Sequence, residues 1–465
     1  MVKNNLSLKN ILISRTLLPV LLGAILFAIF ECSVRYFYKK ELSGVRSVLY
    51  VLQRHIWQVP EMFVEKKGGE YETNLSAYLE LDRVQLQNFT MPKKKGVYRI
   101  FCVGESSVQG YPFCGDNADS RKAFPYRLQD FLNADFKNIE VINAGLGAAS
   151  SGVILGVIKQ LIRYEPDCII LYAGHNEYVY YFWHPEVLRV SPLIFKIDSL
   201  LNNLYSYRLL LKMLNRALPV NKSFQEWKRY NLGSEHLLEI SERYKGIVPE
   251  KEWNEFVKNE LFLCELTFKN NVLEMNEFIK SAGIKFVICT VVSNIKDYAR
   301  LLSFHSAGLK TKDLKEWEEI DMRARGLLSR GLYIEAIKQL SNLTNIDREY
   351  AQSYYLLGKA YYALGNYDSA RKNFILAKDH SPVYAPFQMA PSSLNNLIRK
   401  IAHVNKIFLI DIEREFYKLK ENFGIPGYDL FFENLHPNEE GYRVTAKIIA
   451  DNIKELEIIP KENYK

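Results

Sequence analysis

Three short runs in this chain carry residues able to do chemistry. Gly104-Glu105-Ser106-Ser107 follows an apolar run, Gly174-His175-Asn176-Glu177 follows another, and Glu433-Asn434-Leu435-His436-Pro437-Asn438 lies near the C-terminus. Ser106 offers a hydroxyl nucleophile, Asn176 an amide donor, and Glu433 with His436 an acid–imidazole pair. Acyl transfer through a covalent serine ester needs these parts: a nucleophile, a base that titrates near neutrality, an orienting carboxylate and donors for an oxyanion. Each part has a plainer reading when taken singly. A Gly-x-Ser step is ordinary turn chemistry, Asn caps helices, and a His before Pro is a common loop residue. What favours catalysis is the joint arrangement, with each motif placed after the element it needs. His175 is a second imidazole, but its place next to Asn176 directs it elsewhere, so His436 is the expected base.

The elements that must position these residues alternate. Residues 99–103 read as a buried strand ended by Gly104, 124–131 as a helix, 139–143 as a strand and 153–164 as a helix. A strand follows at 167–172, a helix at 272–282 closed by Gly283, and a strand at 285–292. Residues 394–402, 407–410 and 442–456 add helix, strand and helix. Strand alternating with helix predicts a parallel sheet covered on both faces. Ser106 then stands at the carboxyl end of a strand, where such sheets bind ligands. Gly110 is expected to keep the backbone close to the substrate.

The motif order resembles the SGNH, or GDSL-type, hydrolase superfamily. Gly104 to Ser107 resembles its first block, with Ser106 in the nucleophile's place. Asn143-Ala144-Gly145-Leu146-Gly147-Ala148 resembles the second block, Gly174 to Glu177 the third, and Glu433 to His436 the last. The likeness is closest to membrane-anchored bacterial members with tetratricopeptide repeats inside the hydrolase fold. It implies a three-layer α/β/α, flavodoxin-like sheet and a serine esterase or acylhydrolase without cofactor or metal. By that resemblance Ser106, His436 and Glu433 are catalytic. The oxyanion donors are the N–H groups of Ser106 and Ala148, with Gly147 as the alternative, and the amide of Asn176. Gly104, Glu105, Gly174, His175 and Glu177 are expected in the vicinity of the substrate. Three positions depart from the family pattern. Glu105 and Glu433 replace Asp, and Ala148 stands where Gly is usual. The longer Glu433 is expected to orient His436 less firmly than Asp would, with a backbone carbonyl as the substitute. The substrate classes implied are O-acylated polysaccharide and lipid esters. Acetyl transfer to a glycan, or an idle scaffold that binds partners, would use the same parts.

The chain has 465 residues, 48% of them hydrophobic, which fits a globular protein of two or three domains. A net charge of +8 is mild and its Lys and Arg are dispersed, so nucleic acid is not an expected partner. Six cysteines show no metal-ligand spacing, and Cys102, Cys168 and Cys289 fall in strand-like apolar runs as buried thiols. Residues 16–38 read as an uncleaved, single-pass membrane anchor after a cytoplasmic tail at 1–15. Lys3, Lys9 and Arg15 place the tail inside and the body in the periplasm. Residues 39–95 read as a linker or N-terminal extension, and 96–300 as the first part of the hydrolase. Within it, 185–265 is a helical insertion, either an elaborated crossover or a cap over the site. Ala336, Leu340 and Leu343 recur 34 residues later as Ala370, Phe374 and Ala377, so 301–390 reads as a tetratricopeptide-like helical insertion. It is either a spacer or a docking surface for a protein partner. Residues 391–458 complete the hydrolase, and 459–465 form a tail.

Overall fold

The computed structural model describes residues 18–42, 59–74, 84–114, 119–178, 192–201, 203–217, 253–298, 303–306, 308–381 and 389–465. The chain divides into two compact units. The first comprises residues 1–55 and 190–221, the second residues 56–189 and 222–465.

Within the first unit, the helix Leu18–Leu42 contains the stretch Pro19–Lys39, 21 residues with mean hydropathy 1.8. At 1.5 Å per residue that is about 31 Å, long and apolar enough to cross a membrane. Helices Pro192–Leu201 and Tyr205–Ala217 share this unit, and Leu211 is buried with Val34 and Leu42. This corrects the reading of 185–265 as one insertion. Its described first half folds with the N-terminal helix. Its last residues, from Trp253, begin a 29-residue helix that runs to Ser281 in the second unit.

The second unit is built on two sheets. Strands β1 (Phe63–Glu65), β2 (Glu70–Thr73) and β3 (Asn88–Thr90) form a small antiparallel sheet. Residues 39–95 are therefore not simply a linker. Phe63 and Phe89 pack edge-to-face at 5.1 Å and lie against Phe101 and Tyr164 of the main body. Strands of three or four residues are too short for their alternation to be read from sequence.

The main sheet holds β4 (Tyr98–Gly104), β5 (Ile139–Gly145), β6 (Cys168–Tyr172), β7 (Lys285–Cys289) and β8 (Phe408–Ile410), all parallel, in the order β5-β4-β6-β7-β8. This is the flavodoxin-like order, with its switch point between the first and third strands, β4 and β6. All seven residues of β4 are buried, as expected of a strand covered on both faces, and Cys102, Cys168 and Cys289 are buried thiols. The connecting helices are α1 (Ser106–Gln109), α2 (Phe124–Asp135), α3 (Ser151–Leu161) and α4 (Trp253–Ser281). The helical insertion supplies α5 (Thr311–Ser329), α6 (Tyr333–Ile346), α7 (Ala351–Ala363) and α8 (Tyr367–Asp379). Then come α9 (Ser392–Asn405), α10 (Ile412–Phe416) and α11 (Glu439–Glu455). Helix α2 packs with α11, and α4 packs with both α3 and α9, giving helices on the two sides of the sheet. Residues 459–465 are not a free tail: Tyr464 packs edge-on against Phe136 at 4.6 Å, and Asn463 is buried.

Helices α5 to α8 form two stacked hairpins. Ala336, Leu340, Leu343, Ala370, Phe374 and Ala377, the repeating positions, are all fully buried. Pro382, which follows the second copy of the repeat in the sequence, lies outside the described residues. The second hairpin rests on the α/β body. Tyr355 and Phe374 share a core with Ile295 and Ile425, and the Tyr355 hydroxyl donates to the Lys296 carbonyl at 3.0 Å. Gly358 is required there, since a Cβ would stand 2.6 Å from the Phe374 ring.

Candidate active site

Three neighbouring strands end together. Gly104 is paired with Gly145 on one side and Tyr172 on the other, so the segments after β4, β5 and β6 leave the sheet side by side. Close approach explains the glycines. A Cβ on Gly104 would lie 2.0 Å from the Tyr172 carbonyl oxygen, and one on Gly145 2.2 Å from the Gln109 nitrogen. Ser106 opens α1 directly after this crowded point. Gly110 ends α1 with φ 103° and packs against Ala123.

Ser106 Oγ lies 2.6 Å from His436 Nε2, and His436 Nδ1 lies 2.7 Å from Glu433 Oε1. The same Glu433 oxygen accepts the backbone N–H of His436 at 2.7 Å and of Leu435 at 3.1 Å. The extra methylene thus does not loosen the contact, contrary to the expectation from sequence. It lets the carboxylate fold back over its own turn, where two backbone donors fix it, and the carboxylate itself, rather than a backbone carbonyl, meets Nδ1. Burial raises the Glu433 carboxyl, but the His436 hydrogen bond and charge and the two backbone N–H groups outweigh it and hold the carboxyl below its ordinary value. Asn294 steadies the turn from β7's exit: its N–H donates to the Asn434 carbonyl at 2.8 Å and its side-chain amide to the Glu433 carbonyl at 3.1 Å.

The segment after β5 holds Gly147 and Ala148. Ala148 has φ 55°, in the left-handed region that favours glycine. Among the described residues, neither the Gly147 nor the Ala148 N–H is spent on a hydrogen bond, whereas Ala149 N–H donates to Leu146 at 3.2 Å. Asn176 Nδ2 donates to the Ala149 carbonyl at 3.3 Å, linking the segments after β5 and β6.

Glu105, Glu177 and His175, expected near the substrate, are almost wholly buried and act on the backbone. The Glu105 carboxyl receives three successive N–H groups: Gly174 at 2.7 Å, His175 at 3.1 Å and Asn176 at 3.1 Å. Burial pushes it up to about 8 against the pull of those donors. Glu177 accepts the N–H of Ser151 and its hydroxyl, the latter at 2.8 Å, and so ties the start of α3 to the end of the β6 segment. Its carboxyl is raised by burial to about 7, with the Ser151 hydrogen bonds opposing. His175 Nδ1 accepts the Ala390 N–H at 3.1 Å, and burial lowers the ring to about 3, which keeps it neutral. Two buried carboxyls thus brace the segments that carry Ala148 and Asn176.

Four contributors were given no role of their own by the sequence. Asn143 bridges the Val108 carbonyl at 2.9 Å and the Gly145 N–H at 2.9 Å, and Gln87 accepts the Asn143 N–H at 2.9 Å. Asn294 is the third. The fourth is Tyr111, whose half-exposed ring stands 4.7 Å from the His436 ring, with exposed Phe432 6.5 Å beyond. Only Asn143 had a signal, as the first residue of the second motif. No group of three or more potential metal ligands occurs among the described residues.

Residues 326–365 match the family model described as TPR repeat, spanning the end of α5 to the end of α7. No curated protein sequence matches the chain. Among solved structures, the chain is similar to an acetyl xylan esterase, AlAXEase (13% identity, TM-score 0.33), over 76% of this chain and 99% of that one. It is also similar to a lipase/acylhydrolase from Enterococcus faecalis, with 11% identity and TM-score 0.32, over 77% of this chain and 97% of that one. A third is a GDSL-like lipase from Bacteroides thetaiotaomicron VPI-5482, with 10% identity and TM-score 0.33, over 82% and 98%.

Proposed function

We propose that this chain is a serine ester hydrolase of the SGNH type. The observation that carries the reading is the hydrogen-bonded series from Ser106 Oγ through His436 to Glu433, at 2.6 and 2.7 Å. His436 Nε2 takes the Ser106 proton as Oγ attacks the ester carbonyl carbon. The charge that develops on the carbonyl oxygen meets the N–H groups of Ser106 and Ala148, or Gly147, and the second amide hydrogen of Asn176. His436 then protonates the leaving alcohol. Water, deprotonated in turn by His436, releases the acid and restores Ser106. Glu433 holds Nδ1–H and balances the imidazolium. Each oxyanion donor of this kind lowers the barrier by about 3–4 kcal/mol.

The alcohol is proposed to be a sugar of an O-acylated polysaccharide. The exposed faces of Tyr111 and Phe432 beside His436 suit the apolar face of a pyranose ring. The apolar helix of the first unit is proposed to anchor the body on the periplasmic side, on the strength of Lys3, Lys9 and Arg15 before it. The hairpins are proposed to brace the body first, since their second pair shares its core, with their outer face left for a protein partner. The test is release of p-nitrophenol from p-nitrophenyl acetate and of acetate from an acetylated glycan by the full chain. Both activities should vanish in Ser106→Ala, while Tyr111→Ala should impair only the glycan. Equal turnover by wild type and Ser106→Ala would refute the assignment.

A further inference from the structure

The apolar helix presents a problem that its own unit solves. Its uncharged part ends at Phe30. From Leu18 to Phe30 a helix rises only about 20 Å, short of a hydrocarbon core of about 30 Å. A span must therefore take in Glu31 and Arg35, and an unpaired carboxylate at that depth is costly. Glu31 is not unpaired. Its carboxylate accepts the N–H of Tyr205 and, at 2.8 Å, of Ser206, the first residues of the 13-residue helix Tyr205–Ala217. The positive end of that helix is thus pinned at the level of Glu31. Arg35 stands over the Tyr205 ring at 5.3 Å and Arg208 at 4.8 Å, while Tyr36, Phe37 and Tyr38 are exposed one turn further on. Aromatic and arginine side chains gathered in this way mark the headgroup level of a bilayer.

The two short helices expose apolar stripes. Ile194, Ile197 and Leu200 recur every three residues on the first, and Leu210, Met213 and Leu214 line one face of the second, with Leu200 77% and Met213 61% exposed. Leu211 on the same helix is buried against Val34 and Leu42. The Tyr207 hydroxyl donates to Asp198 at 2.7 Å and ties the pair together. The long helix is likewise apolar and exposed at Ile25, Leu26, Ile29 and Phe30.

We propose that the helices Pro192–Leu201 and Tyr205–Ala217 form a membrane-interface hairpin, seated in the headgroup region against the outer third of the anchor, with lipid as the occupant of their apolar stripes. The inference rests on the reading of Leu18–Leu42 as an anchor. An amphipathic pair held there sinks its apolar face about 5–10 Å into the acyl boundary. The segment therefore works as a membrane collar.

The test uses the full chain with Cys32 and Cys114 replaced by Ser, in phosphatidylcholine–phosphatidylglycerol vesicles. Single nitroxides are attached at Leu200→Cys and Met213→Cys, at Ile25→Cys on the anchor, and at Lys420→Cys, an exposed residue of the body. Collision with oxygen relative to a water-soluble nickel complex should be several-fold higher at 200 and 213 than at 420, and highest at 25. Values at 200 and 213 equal to that at 420, with 25 still in lipid, would overturn the hairpin inference alone. An aqueous value at 25 would overturn the anchor reading and the hairpin with it. Label–label broadening at 213 would place a second copy on the stripe and overturn the lipid assignment.

Discussion

Replacing Glu433 by Gln tests how the acid works, and the geometry sets the size of the loss. In the wild type, one carboxylate oxygen accepts three hydrogen bonds, from His436 Nδ1 and from the backbone N–H groups of His436 and Leu435. A Gln can keep its amide oxygen at that point, because the two backbone donors repel the alternative –NH2. Nδ1 then stays protonated, and Nε2 remains free to take the Ser106 proton. What disappears is the negative charge beside the imidazolium that forms in the transition state. Unit charges about 4 Å apart near a protein surface interact by about 4 kcal/mol, part of which the amide dipole retains. A remaining loss of about 3–4 kcal/mol is a fall of about 10²–10³ in kcat/KM. That is less than the ~10⁴ seen where the substitution imposes the wrong tautomer. The assay is steady-state hydrolysis of p-nitrophenyl acetate at neutral pH, with circular dichroism to show that the variant is folded. A loss below about tenfold, or about 1.4 kcal/mol, would refute the role of the charge and leave a Ser–His dyad. A loss of ~10⁴ or more would show that the backbone donors do not hold the amide, and refute the reasoning on tautomers.

Three other substitutions probe the supports. Ala148→Gly should raise stability by up to about 1.5 kcal/mol in thermal melting without lowering turnover. It relieves a left-handed Cβ costing about 1–2 kcal/mol and gives back about 0.5–1 through glycine's freedom in the unfolded chain. Glu177→Gln should flatten the dependence of stability on pH. The folded carboxyl is raised to about 7, so the folded state holds a proton that the unfolded state has lost, and wild-type stability falls as pH rises from the unfolded value to about 7. Denaturant melts across that interval should show a shallower fall in the variant, and an unchanged slope would contradict the assignment. Gly358→Ala should cost about 1–3 kcal/mol, because its Cβ meets the buried Phe374 ring, and a neutral result would show that the second hairpin packs more loosely than described.

The parallel sheet was legible because its strands are apolar on both faces and its elements are punctuated by Gly104 and Gly283, a signal that survives without knowledge of partners. The hairpins were legible because a 34-residue repeat places small residues at their contacts. The three-stranded sheet at 63–90 was not, since its strands are too short to show a period. The union of 192–217 with the N-terminal helix depends on contacts across more than 150 residues, which local patterns do not encode. At the site, residue types and their order pointed to Ser106, Asn176, Glu433 and His436. Motif position alone could not show that Glu105 and Glu177 are buried and hydrogen-bonded to neighbouring segments rather than open at the site. The reach of Glu433 was misjudged because the sequence does not show that its turn folds the longer side chain back toward Nδ1.

The most direct test of the central claim is labelling of the full chain by a fluorophosphonate, which reports an activated serine whatever the natural ester. The account predicts a single phosphonylated peptide carrying Ser106, no labelling of Ser106→Ala, and strongly slowed labelling of His436→Ala. Equal labelling of wild type and Ser106→Ala, or a modified peptide that does not contain Ser106, would contradict it.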